Sequence, residues 1–543
     1  MRLAGMLNLL PLALAGPVWG EPPEAWRTER LDLVLTVDPA RERLGVEGTL
    51  ELVCEAAGSE GPTLAVNARK PAMRFQRVSA RGLSARVSLD GSGPLERARL
   101  ERARRFERGE RVTVSFALAS AAESSQLQMN ADAFYASWVE RWYPVVDGRG
   151  GPGSPAVPGT TTFRLPRGWR SVSNGERIES HEEGGRLVER WQVDAPAARS
   201  FVAAPFVAAR PVEAGGRSIA FHLLRSRSTS DAQAAALAGA LAAMERRFGP
   251  YPYATYHVAE VPESAAFAAG SEQGFIMVRS SILDDLRGSL PLFAHEAAHG
   301  WWGNLVRSEG PGAKMLSEAL AQYGAVLSIE ALEGEGARNE FLRFSRPGYN
   351  PLQCALGYFH IWREGGDAAL ATLADAPTHH NLSDSKGMWF YHMLRGRMGD
   401  AAFFQVLRAL IDDFRGSEIG LDVFRQRLLA ADPSLAAFLR QWLDRTGAPV
   451  LRADWWSVDR GKGIEITIEQ LQEGEPFEVP LEVAVATAGG GEVRHTLTLV
   501  EHSQRFTLAV PARPLDLRLD PDDRLLLWRP AYGPRPGGAS PRQ

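Results

Sequence analysis

Residues 294–304 read Ala-His-Glu-Ala-Ala-His-Gly-Trp-Trp-Gly-Asn, and this stretch decides how the rest of the chain is interpreted. His295 and His299 are four residues apart, and residues with that spacing lie on the same face of a helix. Both imidazoles can therefore reach one Zn²⁺. Glu296 projects roughly 100° around the helix from His295, which suits a general base better than a third ligand. The alternative is a pair of core histidines with no metal.

A third ligand is available in Glu318, nineteen residues after His299. Glycines between 300 and 312 predict the end of the first helix, and a second helix is predicted from about Ala313 to Leu332, with Glu318 in its first or second turn. Two helices joined in this way can pack antiparallel, which would bring Glu318 back to the histidines. Two histidines and one glutamate leave the fourth tetrahedral position open, as in catalytic zinc sites. We therefore expect one zinc ion bound by His295, His299 and Glu318.

Length and charge limit the possible classes of protein. The 543 residues need several domains, and 61 basic against 65 acidic residues indicate neither a nucleic-acid partner nor an anionic membrane surface. An apolar run from Leu3 to Trp19 follows Arg2 and ends at small residues, which predicts a cleavable signal peptide over 1–20. A membrane anchor is the alternative, but glycines and prolines interrupt the run. We expect an exported protein, periplasmic or secreted, with no transmembrane segment in the mature chain.

Hydrophobic periodicity divides the mature chain. Period-two alternation, as in Leu31, Leu33, Leu35 and Val37, predicts an antiparallel β domain, and it returns near the C-terminus as a predicted β-sandwich. Helical patterning dominates between them, with an N-cap at Ser230-Asp231. Cys54 shares the apolar face of its strand, so a core thiol is expected, although a disulfide with Cys354 is possible. The predicted divisions are a β domain at 21–212, a catalytic domain at 213–445, a β-sandwich at 446–530 and a disordered tail at 531–543.

The zinc-helix motif, followed by Trp301-Trp302-Gly303-Asn304 and then Glu318, resembles the gluzincin aminopeptidases, the family of membrane alanyl aminopeptidase and leukotriene hydrolase. The resemblance implies a multidomain α+β protein with an N-terminal β saddle, a thermolysin-like zincin catalytic domain with a helical part, and a C-terminal β-sandwich. It also implies a zinc metallopeptidase of aminopeptidase type that acts on peptide substrates. Further stretches that resemble family landmarks are 142–144, 200–206, 248–253, 261–262, 386–387, 392–394, 441–443 and 447–450.

The sequence departs from the family at the residues that would hold the substrate's amino terminus. The family carries Gly-Ala-Met-Glu-Asn, whereas this chain reads Gly270-Ser271-Glu272-Gln273-Gly274. Aligned on Gly274, Ser271 replaces the family's glutamate, and a shift of one residue would let Glu272 take its place. A carboxylate there would pair with an ammonium group. Gly270, Ser271 and Glu272 are therefore the candidate substrate-binding residues, and an ordinary loop acid is the alternative for Glu272.

A second departure concerns catalysis. Asp384 stands two residues before Lys386-Gly387, where the family carries the tyrosine that stabilises the oxyanion. An ionised aspartate would repel that charge. Three explanations remain: another side chain (His379, His380 or Tyr391) is the donor, Asp384 is protonated, or catalysis is weak or lost. Losing one oxyanion donor costs about 10²–10³ in rate, which slows an enzyme without abolishing its activity.

We therefore expect peptide hydrolysis by a zinc-activated water, with Glu296 as base and Asp384 in the catalytic site. The rival is a weakened or inactive zinc-binding relative that binds peptides or a partner protein. Without an amine anchor, an endopeptidase is also possible. Epoxide hydrolysis, as in leukotriene hydrolase, has no separate support in the sequence.

Overall fold

The computed structural model describes residues 25–536, except 70–71, 90–92, 121–127, 130–131, 148–155, 208–210, 215, 227–230, 254, 266, 286–287, 347–348 and 374–376. The predicted signal peptide over 1–20 lies outside the described residues, as does the tail from residue 537. Among the described residues, no helix is both long enough and apolar enough to span a membrane.

The described residues of the first part of the chain form three sheets. The largest has seven strands in the order β13-β14-β11-β1-β2-β7-β4, and two four-stranded sheets have the orders β10-β3-β6-β5 and β12-β15-β9-β8. Leu31, Leu33, Leu35 and Val37 of β1 are buried on one face, as their alternation predicted. The strands are β1 (Trp26–Asp38), β2 (Arg43–Cys54), β3 (Thr63–Asn67), β4 (Met73–Ala80), β5 (Ser84–Leu89), β6 (Leu95–Glu101), β7 (Arg111–Ser120), β8 (Gln128–Met129), β9 (Phe134–Ala136), β10 (Val145–Val146), β11 (Val157–Leu165), β12 (Arg170–Ser173), β13 (Glu176–Glu183), β14 (Arg186–Ala197) and β15 (Phe201–Ala204).

A mixed five-stranded sheet, in the order β16-β17-β18-β20-β19, opens the central part of the chain. Its strands are β16 (Val212–Ala214), β17 (Arg217–His222), β18 (Thr255–Val261), β19 (Ala269–Glu272) and β20 (Phe275–Arg279). The sequence did not predict β19, which is the edge strand and pairs antiparallel with β20. This edge strand carries Gly270, Ser271 and Glu272, so they lie on a strand of the sheet and not on an irregular loop.

Helices dominate the rest of the central part. They are α1 (Asp231–Phe248), α2 (Leu290–Ala298), α3 (Ala313–Leu316), α4 (Glu318–Glu333), α5 (Glu335–Phe344), α6 (Ala355–Arg363), α7 (Pro377–Leu382), α8 (Met388–Met398), α9 (Asp400–Phe414), α10 (Leu421–Ala431) and α11 (Ala436–Leu443). A π-helical turn at Ser383–Gly387 joins α7 to α8, and the two-residue strands β21 (Arg307–Ser308) and β22 (Glu418–Ile419) pair in parallel.

The single helix predicted from Ala313 to Leu332 is wrong in one respect. The structure divides it at Ser317, where φ is −103° and ψ is −78°, so Glu318 is the first residue of α4. At the start of a helix the backbone N–H groups have no partner within the helix, and a negative charge is favourable there.

Helices α2 and α4 approach each other very closely. A Cβ atom built on Gly324 of α4 would lie 2.4 Å from the Cβ of Ala298, so only glycine fits at this position. Small residues on both helices therefore permit the short distance between their axes that brings the start of α4 to the histidines of α2.

The C-terminal part forms two three-stranded sheets, in the orders β23-β24-β27 and β26-β25-β28. Their strands are β23 (Leu451–Val458), β24 (Gly463–Gln470), β25 (Val479–Thr487), β26 (Glu492–Leu499), β27 (Ser503–Ala509) and β28 (Pro514–Leu519). Together with the other two parts, these sheets confirm the predicted multidomain α+β architecture.

Two smaller expectations can be compared with the structure. Cys54 is buried as predicted, and both Cys54 and Cys354 are free thiols. Disorder from residue 531 is wrong for the first residues of the tail, because Pro530–Tyr532 forms a 3₁₀ turn and Tyr532 is 1% exposed. Its ring stacks on Phe359, and burial of this aromatic surface orders the segment.

Candidate active site

The three predicted metal ligands come together. The Nε2 atoms of His295 and His299 each lie 3.6 Å from Oε2 of Glu318. Metal–ligand bonds of about 2.1 Å in a tetrahedral site place ligand atoms about 3.4 Å apart. The spacing therefore fits one divalent cation between two imidazole nitrogens and one carboxylate oxygen.

The other ring nitrogen of each histidine is fixed by a partner. Nδ1 of His299 lies 2.9 Å from the carbonyl oxygen of Trp302, and Nδ1 of His295 lies 2.9 Å from Oε1 of Gln322. Both oxygens accept hydrogen bonds, so each Nδ1 donates, and Nε2 keeps its lone pair for a metal. At Gly303, a φ of +109° lets the chain turn after Trp302, and a Cβ there would lie 3.2 Å from Nδ1 of His299.

The sequence interpretation missed Gln322. It lies one helical turn after Glu318 on α4, so the i, i+4 spacing already used for the histidines could have identified it. Its Oε1 also accepts a hydrogen bond of 2.7 Å from the hydroxyl of Tyr349. Gln322 thus links His295 to Tyr349, a residue that no sequence motif indicated.

The electrostatics of this cluster favour a cation. Burial alone would lower the pKa of His295, but the hydrogen bond to Glu318 and the charges of Asp384 and Glu296 raise it to about 10. Burial would raise the pKa of Glu318, but hydrogen bonds from His295 and His299 hold it well below its usual value. Without a metal, protons on the histidines compensate the buried negative charge; a divalent cation would replace them.

Glu296 lies on α2 between the two histidines and is 7% exposed. Its charge contributes to raising the pKa values of Glu272 and Tyr349, which places it within electrostatic reach of both. A carboxylate next to two candidate metal ligands, and too buried to be an ordinary surface residue, is a candidate general base.

The three candidate substrate-binding residues face different surroundings. Ser271 accepts a hydrogen bond of 3.2 Å from Nδ2 of Asn304, the last residue of the zinc-helix motif. Glu272 is 3% exposed, and its Oε2 accepts a hydrogen bond of 2.6 Å from the hydroxyl of Ser200, in the N-terminal β region. A Cβ built on Gly270 would meet open space.

Glu272 has a second acidic neighbour that the sequence did not reveal. Burial raises the pKa of Glu272 to about 7, although hydrogen bonds from Ser200 and Ser137 oppose the change. Burial also raises the pKa of Glu140 to about 8, and the charge of Glu272 adds to that effect. These two neighbouring carboxyl groups, of which Glu272 is also within electrostatic reach of Glu296, form a region that would favour a positively charged group.

Asp384 is completely buried in the π-helical turn. Its Oδ2 accepts a hydrogen bond of 2.5 Å from Nε2 of Gln353 and lies 3.3 Å from Nε2 of His380. Burial raises the pKa of Asp384 to about 6, while the neighbouring histidines lower it. Asp384 therefore contacts His380 and Gln353 in the interior.

The other proposed oxyanion donors differ in position. Tyr391 is fully buried, and its hydroxyl donates a hydrogen bond of 2.6 Å to the carbonyl oxygen of Met315, so it is committed elsewhere. His379 is partly buried. His380 is 40% exposed, and its Nδ1 lies 3.5 Å from Oε2 of Glu318, next to the metal ligands.

Comparison with known proteins agrees with this geometry. Residues 234–442, which include the cluster, match the model of the Peptidase family M1 domain. The chain is 24% identical over 370 residues to Aminopeptidase RNPEPL1 of Homo sapiens, an alignment of 63% of this chain and 48% of the human protein. It is 25% identical over 273 residues to Aminopeptidase B of Rattus norvegicus, covering 46% of this chain and 40% of the rat protein.

A third relative is Aminopeptidase N of Lactococcus lactis subsp. lactis, 26% identical over 229 residues, or 37% of this chain and 26% of that protein. The chain thus spans about half, or less, of the length of these relatives. Residues 234–442 therefore match a peptidase family M1 domain, and the relatives confirm the predicted resemblance to the gluzincin aminopeptidases.

Proposed function

We propose that this protein is a zinc-dependent metallopeptidase that acts as an aminopeptidase. The observation that carries the proposal is the meeting of His295, His299 and Glu318 at 3.6 Å with the buried Glu296 beside them. A bound Zn²⁺ would supply Lewis acidity, which polarises the scissile carbonyl and makes a water molecule easier to deprotonate.

The residues of the chain have separate roles in this mechanism. His295, His299 and Glu318 hold the cation, and Trp302 and Gln322 fix the orientation of the two imidazoles. Glu296 accepts a proton from the attacking water and returns it to the leaving amine as the peptide bond breaks. Proton transfer by a positioned carboxylate typically contributes about 10²–10⁴ to the rate.

Glu272 supports the restriction to a free amino terminus. Its carboxyl group is buried beside Ser200 and within electrostatic reach of Glu140 and Glu296. A substrate ammonium group would be a positively charged partner for the buried carboxylate of Glu272. Such a charge-assisted hydrogen bond is stronger than a neutral one. Ser271 and Gly270, on the same edge strand, would contact the substrate beside it.

The experiment that tests the proposed activity compares the wild type with Glu296→Gln. We expect about one zinc per chain in both proteins, with turnover of fluorogenic aminoacyl substrates lowered about 10²–10⁴-fold in the variant. Glu364→Gln, at an exposed glutamate just after α6, is the matched control and should retain full activity. Absence of zinc in the wild type, or equal turnover by Glu296→Gln, would refute the proposal.

Free and N-acetylated forms of one peptide test the mode of cleavage. An aminopeptidase cleaves the free peptide and spares the acetylated form, because acetylation removes the charge that Glu272 would bind. Equal cleavage of both forms would instead identify an endopeptidase.

A second candidate function follows from Asp384. Since this residue replaces the family's tyrosine, the same cleft could bind peptides or a partner protein without efficient hydrolysis. Zinc-loaded wild type that binds peptides and gives the same trace turnover as Glu296→Gln would favour this alternative.

We also propose that the protein is exported and is periplasmic or secreted, on the basis of the apolar stretch within residues 1–20. Amino-terminal sequencing of the protein recovered from cell fractions tests this proposal. A chain that begins near Glu21 outside the cytoplasm is expected, and an intact Met1 in the cytoplasmic fraction would contradict it.

A further inference from the structure

His380 stands between two carboxylates, one of which is a metal ligand. Its Nδ1 lies 3.5 Å from Oε2 of Glu318, and its Nε2 lies 3.3 Å from Oδ2 of Asp384. Asp384 and His380 are four residues apart, so the helical turn places them on the same face. A carboxylate only accepts hydrogen bonds, so each ring nitrogen of His380 lies where an N–H group is favoured.

Asp384 is fixed in place and cannot reach a substrate itself. It is fully buried, and Nε2 of Gln353 donates a 2.5 Å hydrogen bond to the same Oδ2 that faces His380. A buried, fixed carboxylate beside Nε2 accepts its N–H and so determines the orientation of the ring, which turns Nδ1 toward Glu318. Asp384 is therefore a positioning residue for His380.

The Nδ1 side of His380 faces the candidate metal ligand Glu318, and the His380 side chain is partly open to solvent. The side chain is 40% exposed, whereas Glu318 is 20% exposed and Asp384 is fully buried. The 3.5 Å separation between Nδ1 and Oε2 of Glu318 exceeds the usual N–H···O distance of about 2.9 Å. Nδ1 can therefore still donate a hydrogen bond to another group. An N–H group on Nδ1 would therefore lie beside the carboxylate oxygen that also faces His295 and His299.

Two tyrosines near the site are already engaged. The hydroxyl of Tyr391 donates to the carbonyl oxygen of Met315, and the hydroxyl of Tyr349 donates to Oε1 of Gln322. Tyr349 is the stronger rival because it lies close to the site: burial raises its pKa well above the usual value, and the charges of Asp384, Glu296 and Glu318 add to that effect. It would have to leave Gln322 before it could donate to a substrate.

We propose that His380, held by Asp384, donates the hydrogen bond that stabilises the negative charge developing on the scissile carbonyl oxygen. The inference rests on the proposed peptidase function and assigns the role of the family's tyrosine to a histidine–aspartate pair. His380, one helical turn before Asp384, thus serves as the hydrogen-bond donor. Asp384 stands at the position of the family's tyrosine and holds His380 in place.

The test compares His380→Ala, His380→Asn, Asp384→Asn and Tyr349→Phe in the zinc-loaded, full-length protein. Three quantities are measured: kcat/KM for an aminoacyl substrate, the Kd of a phosphinic pseudopeptide that imitates the tetrahedral intermediate, and the Kd of zinc by chelator competition. We expect His380→Ala to lower kcat/KM about 10²–10³-fold and to raise the Kd of the pseudopeptide by a similar factor, while the Kd of zinc stays unchanged.

Two variants separate hydrogen bonding from general damage. His380→Asn keeps an N–H donor near the position of Nδ1 and should recover part of the pseudopeptide affinity. Asp384→Asn keeps the shape of the side chain but removes the carboxylate. It should therefore weaken binding of the pseudopeptide and leave zinc binding unchanged. His181→Asn, at an exposed histidine 3.2 Å from Glu179 in the N-terminal β region, is the control and should change nothing.

Three results would overturn the inference. A loss of zinc affinity in His380→Ala that accounts for its loss of activity would make His380 a support for Glu318. Unchanged pseudopeptide affinity in His380→Ala, with a 10²-fold or greater loss in Tyr349→Phe, would assign the donor to Tyr349. Either result leaves the proposed peptidase intact, whereas a wild type that binds neither zinc nor the pseudopeptide refutes the peptidase and this inference together.

Discussion

Replacing Glu272 with glutamine should make the stability of the protein less dependent on pH. Burial raises the pKa of this carboxyl group from 4.5 to about 7, with a further contribution from Glu296, while hydrogen bonds from Ser200 and Ser137 act in the opposite direction. Between pH 4.5 and 7 the unfolded chain carries an ionised Glu272, whereas the native protein keeps it protonated. Unfolding therefore releases a proton, and the stability of the native state falls as pH rises through this window.

The size of the effect follows from the two pKa values. They differ by about 2.5, and each pKa unit corresponds to about 1.4 kcal/mol, so the ionisation of Glu272 costs about 3 kcal/mol above pH 7. The contribution is fully present below pH 4.5 and fully lost above about pH 7. Glutamine has the same shape and can accept the hydrogen bond from Ser200, but it does not titrate.

The assay is urea unfolding of the wild type and Glu272→Gln at pH 5 and pH 8, with the metal removed from both proteins. The free energy of unfolding of the variant, relative to the wild type, should rise by about 3 kcal/mol between the two pH values. Glu263→Gln, at an exposed carboxylate that accepts hydrogen bonds from Ser281, is the control. A difference between Glu272→Gln and the wild type that is the same at both pH values would show that Glu272 does not titrate near neutrality and would refute the reasoning.

Three further outcomes are expected. Gln322→Ala removes the partner of Nδ1 of His295 and should weaken zinc binding about 10–100-fold, measured by chelator competition; an unchanged zinc Kd would contradict the role assigned to Gln322. Gly324→Val would place side-chain atoms against Ala298, separate α4 from α2 and lower both the thermal midpoint and the zinc content, whereas Gly336→Val, where a Cβ meets open space, should leave the zinc content unchanged. Tyr532→Ala removes a buried ring stacked on Phe359 and should lower the free energy of unfolding by about 3–5 kcal/mol in urea titrations; a change below 1 kcal/mol would mean that the tail is not docked.

The sequence identified the candidate metal ligands because their arrangement is local. His295 and His299 share one helix, and a spacing of four residues places both side chains on one face wherever that helix packs. Glu318 needed one further assumption, an antiparallel return of the chain, and the structure supplies it through the close contact of Gly324 with Ala298. The β regions could likewise be predicted, because a period of two follows from the geometry of a strand with one buried face.

The substrate side of the site could not be predicted in the same way. The hydrogen bond from Ser200 to Glu272 joins residues 72 positions apart, and the neighbouring Glu140 also comes from the N-terminal β region. From the sequence, Glu272 could be either an amine anchor or an ordinary loop acid. The edge strand Ala269–Glu272 has no apolar alternation, so it could not be predicted as a strand. Its burial and its raised pKa arise only when the two regions meet.

The same distinction applies to the missing tyrosine. The sequence showed that Asp384 replaces it and named His380 as one of three substitutes, since all lie within one or two helical turns. It could not choose among them, because burial and direction depend on what packs around the π-helical turn. Only the tertiary structure buries Asp384 against Gln353, commits Tyr391 to Met315 and leaves His380 beside Glu318. Helical periodicity thus determined which residues are candidate metal ligands, and long-range packing decided which other groups surround them.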